Sequence, residues 1–351
     1  MIGLALSGGG VRGSYQIGAY LAFKKCHIKF DGFVGTSIGS FNAAMLAAGR
    51  DKELLHFWEN VNVGKIAGFS EKYIEKLSKQ KKSNNVFYHM IMNAKELILN
   101  HGFKTDGLRD ILNTLNIEES IQKSDKDFGL ITVRARDFKP VYIFKNDISK
   151  GKFNDYLIAS CYLPVFKMQK IIDESYYLDG GFYDNSPANM LLDKGYKKVY
   201  IVELAAVGIK RKIKDKKRVV IIKPSHNLKS ILNTNIEDIK YNIKLGYYDT
   251  LKVIKKLDGY KYIFSTYPSW MYSWMTRKIS KRMRKEAETF FKTVDDKKLV
   301  LKALEYIIAK EHFPYTEVYH PIRLIKTVKI LKKVMRGNHI AYRFVRELKI
   351  I

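Results

Sequence analysis

Ser37 lies at the centre of the motif Gly35-Thr36-Ser37-Ile38-Gly39, where a short apolar run turns into a stretch of strong helix formers. Such a motif holds its serine in a cramped turn, because strand and helix crowd together and leave no room for a Cβ atom at the two glycines. The serine hydroxyl would also lie near a positive helix N-terminus. We interpret Ser37 as a nucleophile for covalent catalysis, with Gly35 and Gly39 as its elbow. An ordinary glycine turn with a solvent-facing serine is the alternative.

A glycine loop near the N-terminus is a second candidate, formed by Gly8, Gly9 and Gly10 and followed by Arg12 and Gly13. Successive glycines let backbone N–H groups converge on one point, so the loop could hold a phosphate or an oxyanion. The spacing and the Lys-Ser/Thr pair of a P-loop are absent, and no acidic residue stands at the distance that a dinucleotide site requires. These absences favour an oxyanion hole.

Asp179 ends a strand-like run and stands directly before two glycines. A carboxylate at this place can take the hydroxyl proton of Ser37 if the two oxygen atoms come within about 3 Å and the pair is dry. An aspartate that only shapes the turn is the alternative. His226, just beyond the last predicted strand, is placed for a Ser-His-Asp triad instead.

The pattern of apolar residues predicts which elements position these groups. Two strands that precede glycine turns, joined by one right-handed crossover, would bring the glycine loop and Ser37 to the same sheet edge. Predicted strands span 2–6, 32–34, 129–136, 141–145, 199–203 and 219–223, with a hairpin that pairs 166–172 with 176–178. Predicted helices span 11–24, 53–60, 71–81, 86–100 and 108–115, one begins at Ile38, and another runs to about Asp193 behind a cap at 184–187. Apolar side chains at 87–92 are expected in the core rather than at a lipid gate.

The composition indicates a folded protein. The chain has 351 residues, 46% of them hydrophobic, which suffices for one elaborated domain or for one domain with an appendage. Only two cysteines argue against a disulfide framework and fit a reducing compartment. No metal or cofactor site is predicted. No secretory leader is seen and no apolar run approaches the roughly 20 residues that span a bilayer, so we expect a cytoplasmic protein that is peripheral at the membrane.

The net charge of +28 is unevenly distributed. Residues 1–200 carry 28 Lys and Arg against 21 Asp and Glu, a net +7, whereas 201–351 carry 35 against 14, a net +21. Such an excess attracts nucleic acid or anionic lipid head groups, although part of it could be solvated helix faces. The surface that binds an anionic partner is therefore predicted in the C-terminal part.

The region 226–351 is predicted to be helical and basic. The run 270–275 holds two tryptophans and leads into cations at 277–285, a mixture that suits an anionic membrane surface. A buried pair of tryptophans is the alternative. The run 321–336 places apolar residues along one helical face, which favours either a membrane surface or docking onto the catalytic domain.

Three separated blocks together resemble the patatin-like phospholipases. They are the glycine block 8–13, the serine block 35–39 and Asp179-Gly180-Gly181, and their order and spacing fit. Ala159-Ser160, with Pro164 and Phe166 ahead of the last block, is also similar to that family. The resemblance covers about residues 1–225.

The resemblance implies a three-layer α/β/α fold with a mainly parallel central sheet. The catalytic domain would be residues 1–225, with a helical insertion at 50–125, followed by the basic region 226–351. The resemblance also implies a lipid acyl hydrolase without a cofactor, which acts on phospholipids or related glycerolipids through a Ser-Asp dyad. The implied site residues are Ser37 as nucleophile, Asp179 as base, and Gly8, Gly9, Gly10, Arg12 and Gly13 around the oxyanion.

Two other function classes stay open at this point. One is a Ser-His-Asp esterase that uses His226. The other is a non-catalytic basic module that binds lipid head groups or nucleic acid, in which the glycine loop holds a phosphate. No nucleic-acid-binding motif supports the second class, so no nucleic-acid partner is expected.

Overall fold

The structure is a computed structural model and describes residues 1–61, 106–163, 166, 169–228 and 235–349. The helices predicted at 71–81 and 86–100, with the apolar positions 87–92, lie outside these residues. So does Pro164. Of the insertion predicted at 50–125, the structure describes only the two ends.

One mostly parallel sheet forms the centre of the N-terminal part. In the described residues its order is β4-β3-β2-β1-β6-β7, and β5 also pairs with β3. The pairs β1–β2, β1–β6, β2–β3 and β6–β7 are parallel, whereas β4 and β5 run antiparallel to β3. The predicted α/β fold with a mainly parallel sheet is confirmed. The strands are β1 (Ile2–Leu6), β2 (Gly32–Thr36), β3 (Asp127–Arg134), β4 (Lys139–Phe144), β5 (Tyr177–Asp179), β6 (Lys198–Val202) and β7 (Val219–Ile222).

Helices cover both faces of this sheet, because side chains alternate along each buried strand. On one face, Phe23 packs edge-on against Tyr200 with ring centroids 4.9 Å apart. On the other face, Leu191 packs with Ala5 and Val34. The helices of this part are α1 (Ser14–Lys25), α2 (Ile38–Ala47), α3 (Asp51–Asn60), α4 (Asp106–Leu115), α5 (Ile117–Lys123), α6 (Phe153–Ser160), α7 (Ala188–Asp193) and α8 (Ile236–Ile254).

The position of β5 decides how the site is assembled. Along one edge of β3, Thr36 of β2 pairs with Ile131, and Asp179 of β5 pairs with the next residue, Thr132. β2 and β5 therefore lie end to end along the same edge of β3, with their C-terminal ends facing each other. The predicted hairpin between 166–172 and 176–178 is wrong for the described residues, which exclude 167 and 168. Its second arm contains β5, which pairs with β3, and Ile172 forms a bridge with Ser175, just before that arm.

Two predicted helix starts differ from the structure. The chain forms a 3₁₀ turn over Gly10–Gly13 before α1 begins at Ser14, whereas one continuous helix was predicted over 11–24. α7 begins at Ala188 with no side-chain cap, because the Asp184 carboxylate instead accepts from the backbone N–H of Ser186 at 3.1 Å.

The chain separates into two compact units, residues 1–249 and 250–351. The predicted division at 225 concerns the end of the catalytic domain and stays a prediction. In the second unit, a core that includes Tyr272, Leu304 and Phe344 is enclosed by helices and by a short parallel pair of strands. Its elements are β8 (Ile263–Phe264), α9 (Ser269–Thr276), α10 (Lys281–Phe291), α11 (Asp296–Lys310), β9 (Val318–Tyr319), α12 (Pro321–Lys329), α13 (Lys332–Arg336) and α14 (Ile340–Glu347).

The apolar face predicted for 321–336 is divided between two helices. Ile325 and Val328 of α12 are buried in the core of the second unit, while Met335 of α13 is 59% exposed. Most of this face therefore belongs to the core of its own unit. Among the described residues, no helix is long and apolar enough to cross a bilayer.

Candidate active site

Ser37 occupies the sharp turn between β2 and α2. Its backbone angles, φ 55° and ψ −132°, lie in a strained region for a residue with a side chain. A Cβ atom at Gly35 would lie 2.2 Å from the Gly39 carbonyl oxygen, and one at Gly39 would lie 2.3 Å from the Leu6 carbonyl oxygen. The turn therefore requires glycine at both positions, which is the crowding that a nucleophile elbow needs.

Two serines hold this strained turn in place. Ser160 Oγ accepts from the backbone N–H of Ser37 at 3.0 Å and donates to the Ile131 carbonyl at 2.7 Å. Ser40 Oγ donates to the Ser37 carbonyl at 2.6 Å. Ser160 and Ser40 are fully buried. Their hydrogen bonds fix the backbone of Ser37 from both sides.

The Asp179 carboxylate is buried beside this turn, with 4% of the residue exposed. Its Oδ1 accepts from the N–H of Gly181 at 2.7 Å. Its Oδ2 makes no hydrogen bond of full geometry in the described residues, although the Ser37 hydroxyl lies near enough to lower the pKa of Asp179. The hydroxyl and the carboxylate are thus neighbours.

Burial is the main influence on the Asp179 carboxyl. It raises the pKa to about 6, while the Ser37 hydroxyl and the Gly181 N–H act in the opposite direction. A carboxyl with this pKa is ionised at neutral pH and is a stronger base than an exposed aspartate. The group can accept a proton from a hydroxyl more readily than an ordinary surface carboxylate.

Cys161 is a neighbour that the sequence did not indicate. Its pKa is raised by burial and further by the charge of Asp179, and the Ser40 and Ser37 hydroxyls oppose the rise. A thiol with a raised pKa is protonated at neutral pH and is a poor nucleophile. The hydroxyl of Ser37 is therefore the nucleophile that this arrangement supports.

The glycine loop lies directly against the serine turn. A Cβ atom at Gly8 would lie 3.1 Å from the Cβ of Ser37. The N–H of Gly8 donates to Asn185, at 3.1 Å to the side-chain oxygen and 3.3 Å to the carbonyl. Within the described residues, the N–H groups of Gly9 and Gly10 have no acceptor. Two free backbone donors in a loop that contacts the serine turn through Gly8 are what an oxyanion hole requires.

Arg12 and Gly13 take other places in this loop. The half-buried Arg12 donates from Nη1 to the Ala205 carbonyl at 2.9 Å. A Cβ atom at Gly13 would lie 2.9 Å from Ile38 and from Trp58. Arg12 therefore ties the loop to the chain beyond β6, and Gly13 allows α1 to pack closely under the serine turn.

A buried polar network supports the loop from below. Gln16 donates to the Ser7 carbonyl at 2.8 Å, and Asn42 donates to Gln16 Oε1 at 2.8 Å and to the Gly13 carbonyl at 3.0 Å. Trp58 Nε1 donates to Asn42 Oδ1 at 3.0 Å. Because these polar groups satisfy one another, the loop has a defined backbone conformation.

Asn185 is the clearest site residue that sequence reasoning missed, because the run 184–187 was interpreted only as a helix cap. Its side chain holds Gly8, and its N–H donates to the Ile209 carbonyl at 2.6 Å. Its neighbour Asp184 accepts the Thr36 hydroxyl on its carbonyl at 2.8 Å. The run of polar residues at 184–186, shortly after the Asp-Gly-Gly block, was the sequence signal that could have identified Asn185 as a site residue.

His226 lies in a different environment. Asp249 Oδ2 accepts from the Tyr15 hydroxyl and from the Ser225 N–H, both at 2.9 Å, and the charge of His226 acts on the same carboxylate. The side chain that influences the Asp179 pKa is Ser37 rather than a histidine. These contacts favour a Ser-Asp pair over a triad.

Comparison with known proteins finds relatives that are named lysophospholipases. Lysophospholipase nte1 of Aspergillus terreus is 27% identical over 209 residues, which are 59% of this chain and 12% of that protein. Lysophospholipase NTE1 of Candida albicans is 24% identical over 206 residues, 59% of this chain and 13% of that protein. The chain thus matches only about an eighth of the length of these curated relatives.

Two solved structures are similar to the chain over most of its length. VipD from Legionella pneumophila is 13% identical with a TM-score of 0.48, and the match covers 98% of this chain and 83% of that one. ExoU of the type III secretion system of Pseudomonas aeruginosa, in complex with SpcU, is 11% identical with a TM-score of 0.35, over 98% and 73% of the two chains.

The family model described as patatin-like phospholipase matches residues 4–192. This range is more than half of the chain and runs from β1 to α7. It includes the glycine loop, the serine turn and Asp179. The chain belongs to the patatin-like phospholipase family.

Proposed function

We propose that the protein is a lipid acyl hydrolase that cleaves fatty-acyl esters of phospholipids or related glycerolipids through an acyl-enzyme intermediate. The observation that supports it most is the buried Oδ2 of Asp179, which has no hydrogen bond in the described residues and lies beside the hydroxyl of a strained serine. A buried acceptor without a donor is unfavourable, so its retention indicates a use. Proton transfer from Ser37 is the use that this geometry allows.

In the first half of the reaction, Asp179 accepts the proton of Ser37 as its Oγ attacks the ester carbonyl carbon. The carbonyl oxygen becomes negative, and the free N–H groups of Gly9 and Gly10 stabilise that charge. The tetrahedral intermediate then expels the alcohol part of the lipid, which takes the proton from Asp179. The fatty acyl group is left as an ester on Ser37.

In the second half, water replaces the alcohol. Asp179 accepts a proton from this water, and the resulting hydroxide adds to the acyl carbon. Ser37 leaves and recovers the proton from Asp179, so that the fatty acid is released and the enzyme is restored. One carboxylate therefore acts as base and then as acid in each half, which suits a pKa of about 6.

We also propose that the second unit holds the protein at an anionic membrane surface, as a peripheral protein. Trp270 on α9 is 66% exposed, so the alternative of a buried tryptophan pair is wrong for this residue. The ring of Trp274 has the Arg277 guanidinium 5.1 Å and the Lys349 ammonium 4.2 Å from its centroid. The exposed Trp270 indole and the two cations over Trp274, which form no ion pair among the described residues, fit the head-group layer.

The test of the catalytic proposal is a panel of phospholipids, lysophospholipids and glycerides with purified wild-type protein and Ser37→Ala. The wild type should release fatty acid from at least one class, and Ser37→Ala should not. A fluorophosphonate probe should also add one mass label to the peptide that contains Ser37. Release of fatty acid by Ser37→Ala at the wild-type rate would reject the proposal.

A further inference from the structure

The segment 205–211, which follows β6, contacts both loops that carry the catalytic groups. On one side its Ala205 carbonyl accepts from Arg12, and a Cβ atom at Gly9 would lie 3.2 Å from the Cβ of Ala206. On the other side Ile209 donates to the Gly181 carbonyl at 3.0 Å and accepts from Asn185 at 2.6 Å. The segment therefore bridges the glycine loop and the turn after Asp179.

The outer surface of this segment is unusual for a loop. Val207 and Ile209 are 48% and 52% exposed, and Arg211 is exposed as well. Both backbone hydrogen bonds of Ile209 are made to the turn after Asp179, so its position is fixed while its side chain faces solvent. Because these apolar side chains are exposed, they do not contribute to the buried core. The fold alone therefore does not account for their position next to the active site.

Arg211 is held in a defined orientation. Its guanidinium lies 3.6 Å above the centroid of the Tyr183 ring. Among the described residues no carboxylate forms an ion pair with it, whereas its neighbour Lys210 pairs with Glu203 at 2.9 Å. Because the ring covers only the face of the guanidinium, the N–H groups at its edge stay available to an acceptor.

The same arginine is linked to the serine turn through Asp184. Burial raises the pKa of the Asp184 carboxyl, and the N–H and charge of Arg211 are among the groups that lower it. The carbonyl of Asp184 accepts the hydroxyl of Thr36, the residue before Ser37. The backbone of Arg211 is thus linked through Asp184 to the residue that precedes the nucleophile.

We propose that the segment 205–211 binds the head-group region of a glycerophospholipid, with Arg211 donating to the lipid phosphate and with Val207 and Ile209 contacting the adjoining apolar part. This assignment rests on the proposed acyl hydrolase function and names its substrate class. A planar guanidinium binds phosphate oxygens in a bidentate manner, and its donors match a charged acceptor better than a neutral glyceride. The segment therefore selects phospholipid over glyceride.

The test compares two lipids that share an acyl chain, lysophosphatidylcholine and monoacylglycerol, in the same nonionic micelles. Arg211→Met should lower the ratio of kcat/KM for the phospholipid to that for the glyceride by about tenfold, the effect of one charge-assisted contact. Arg211→Lys keeps the charge without the planar fork and should give a smaller decrease. Lys212→Met, which removes an exposed neighbouring charge, should leave both activities unchanged.

A binding measurement tests the inference without relying on catalytic turnover. In the Ser37→Ala background, calorimetry with dihexanoylphosphatidylcholine should show about tenfold weaker binding when Arg211→Met is added. Dihexanoylglycerol should bind equally with and without that change, and inorganic phosphate at the same concentration should not compete. If the wild type hydrolyses no lipid, the proposed function fails while this measurement still decides the inference.

Two results would overturn the assignment. Equal losses on phospholipid and glyceride, with a lower melting temperature, would make Arg211 a structural partner of Asp184 and Tyr183. If inorganic phosphate displaced dihexanoylphosphatidylcholine at an equal concentration, Arg211 would belong to a simple anion site and not to a phospholipid site.

Discussion

Polar side chains around Ser37 and polar side chains on the second unit are held in different ways. Near Ser37 the polar groups are buried, and Ser160, Asn185 and Asn42 each make specific hydrogen bonds. Between α9 and α10 and at the start of α10, Lys278 and Lys281 are exposed, and they form no ion pair among the described residues. The first arrangement depends on a few exact contacts, and the second depends on summed charge and apolar area.

This difference predicts different responses to mutation. Loss of one buried group at the active site removes an interaction that solvent cannot replace, so the effect should be large and insensitive to salt. Loss of one exposed cation should be small, additive and screened by salt. Each experiment below either sharpens that contrast or breaks it.

The largest effect is expected at the dyad. Ser37→Ala and Asp179→Asn should each lower lipid hydrolysis by about four or more orders of magnitude, because either change removes the attacking alkoxide. The double variant should be no worse than the single variants, since the two groups act as one unit. Steady-state assays with circular dichroism as a folding control measure this.

His226→Ala is the matched control, because His226 lies beside Asp249. It should retain most activity. If this variant were as inactive as Ser37→Ala while Asp179→Asn stayed active, a Ser-His-Asp triad would replace the dyad.

The second effect concerns the oxyanion donors. Gly9→Val should displace a donor N–H and raise the activation free energy of hydrolysis by roughly 3 kcal/mol. The rate should therefore fall about a hundredfold. The structure shows that a Cβ atom at Gly9 would lie 2.9 Å from Leu204. The displacement therefore comes from a clash with Leu204 behind the loop.

Vesicle binding separates this effect from head-group recognition. Gly9→Val should sediment with anionic vesicles as the wild type does while its rate falls. Equal losses of rate and binding would show that the glycine loop is a head-group site, and the contrast between the two regions would break down.

The same contrast explains which parts of the site could be predicted from the sequence. The serine turn, the glycine loop and Asp179 are each coded by short local patterns. The first two follow parallel strands, so their meeting could be expected. The partners that hold them could not. Asn185 binds Gly8 across 177 positions, and β5 is three residues long with its pairing set by β3. Neither feature leaves a periodic signal.

The second unit was predicted in composition but not in detail. Its basic helices were expected, yet Arg284, one of the cations assigned to the membrane surface, donates to Asp296 at 2.6 Å and to Glu288 at 3.0 Å. The sequence shows which residues are charged. It does not show which charges are neutralised inside the fold, because ion pairs between helices depend on packing.

The third effect is a pH dependence set by Asp179. The carboxylate must be ionised to act as base, so kcat/KM should fall about tenfold per pH unit below a midpoint of about 6. A pH–rate profile on a soluble short-chain ester measures this without changes in the lipid surface. A midpoint near 4, the value of an exposed aspartate, would contradict the buried assignment.

The titration of Asp179 should also affect the free energy of unfolding. Its folded pKa is raised above the unfolded value of about 3.9, so its favourable contribution is complete below pH 4 and is lost as pH rises through 6. Asp179→Asn lacks this titration. Its free energy of unfolding, relative to the wild type, should therefore rise between pH 4 and pH 7 by up to roughly 3 kcal/mol. Urea titrations at the two pH values test this, and other buried acids cancel in the difference.

The smallest effects are expected on the second unit, and they decide whether its charge binds membranes. Lys281 and Lys285 form no ion pair among the described residues, so their reversal to Glu should weaken binding to anionic vesicles by about 1 kcal/mol each at low salt without disturbing the fold. Reversal of Lys292 and Lys298, also exposed, is the matched control for net charge alone. Arg284 is left unchanged because of its ion pairs.

Trp270→Ala separates the apolar part of that binding from the charged part. Since the side chain is 66% exposed, its removal should leave stability unchanged while weakening vesicle binding at every salt concentration. The Lys reversals should lose their effect as salt rises, because exposed charges are screened. Sedimentation with vesicles across ionic strength, with duplex DNA as competitor, measures both. Tight DNA binding without vesicle binding, or equal losses from both pairs of Lys reversals, would mean that the second unit carries charge but no membrane-binding surface.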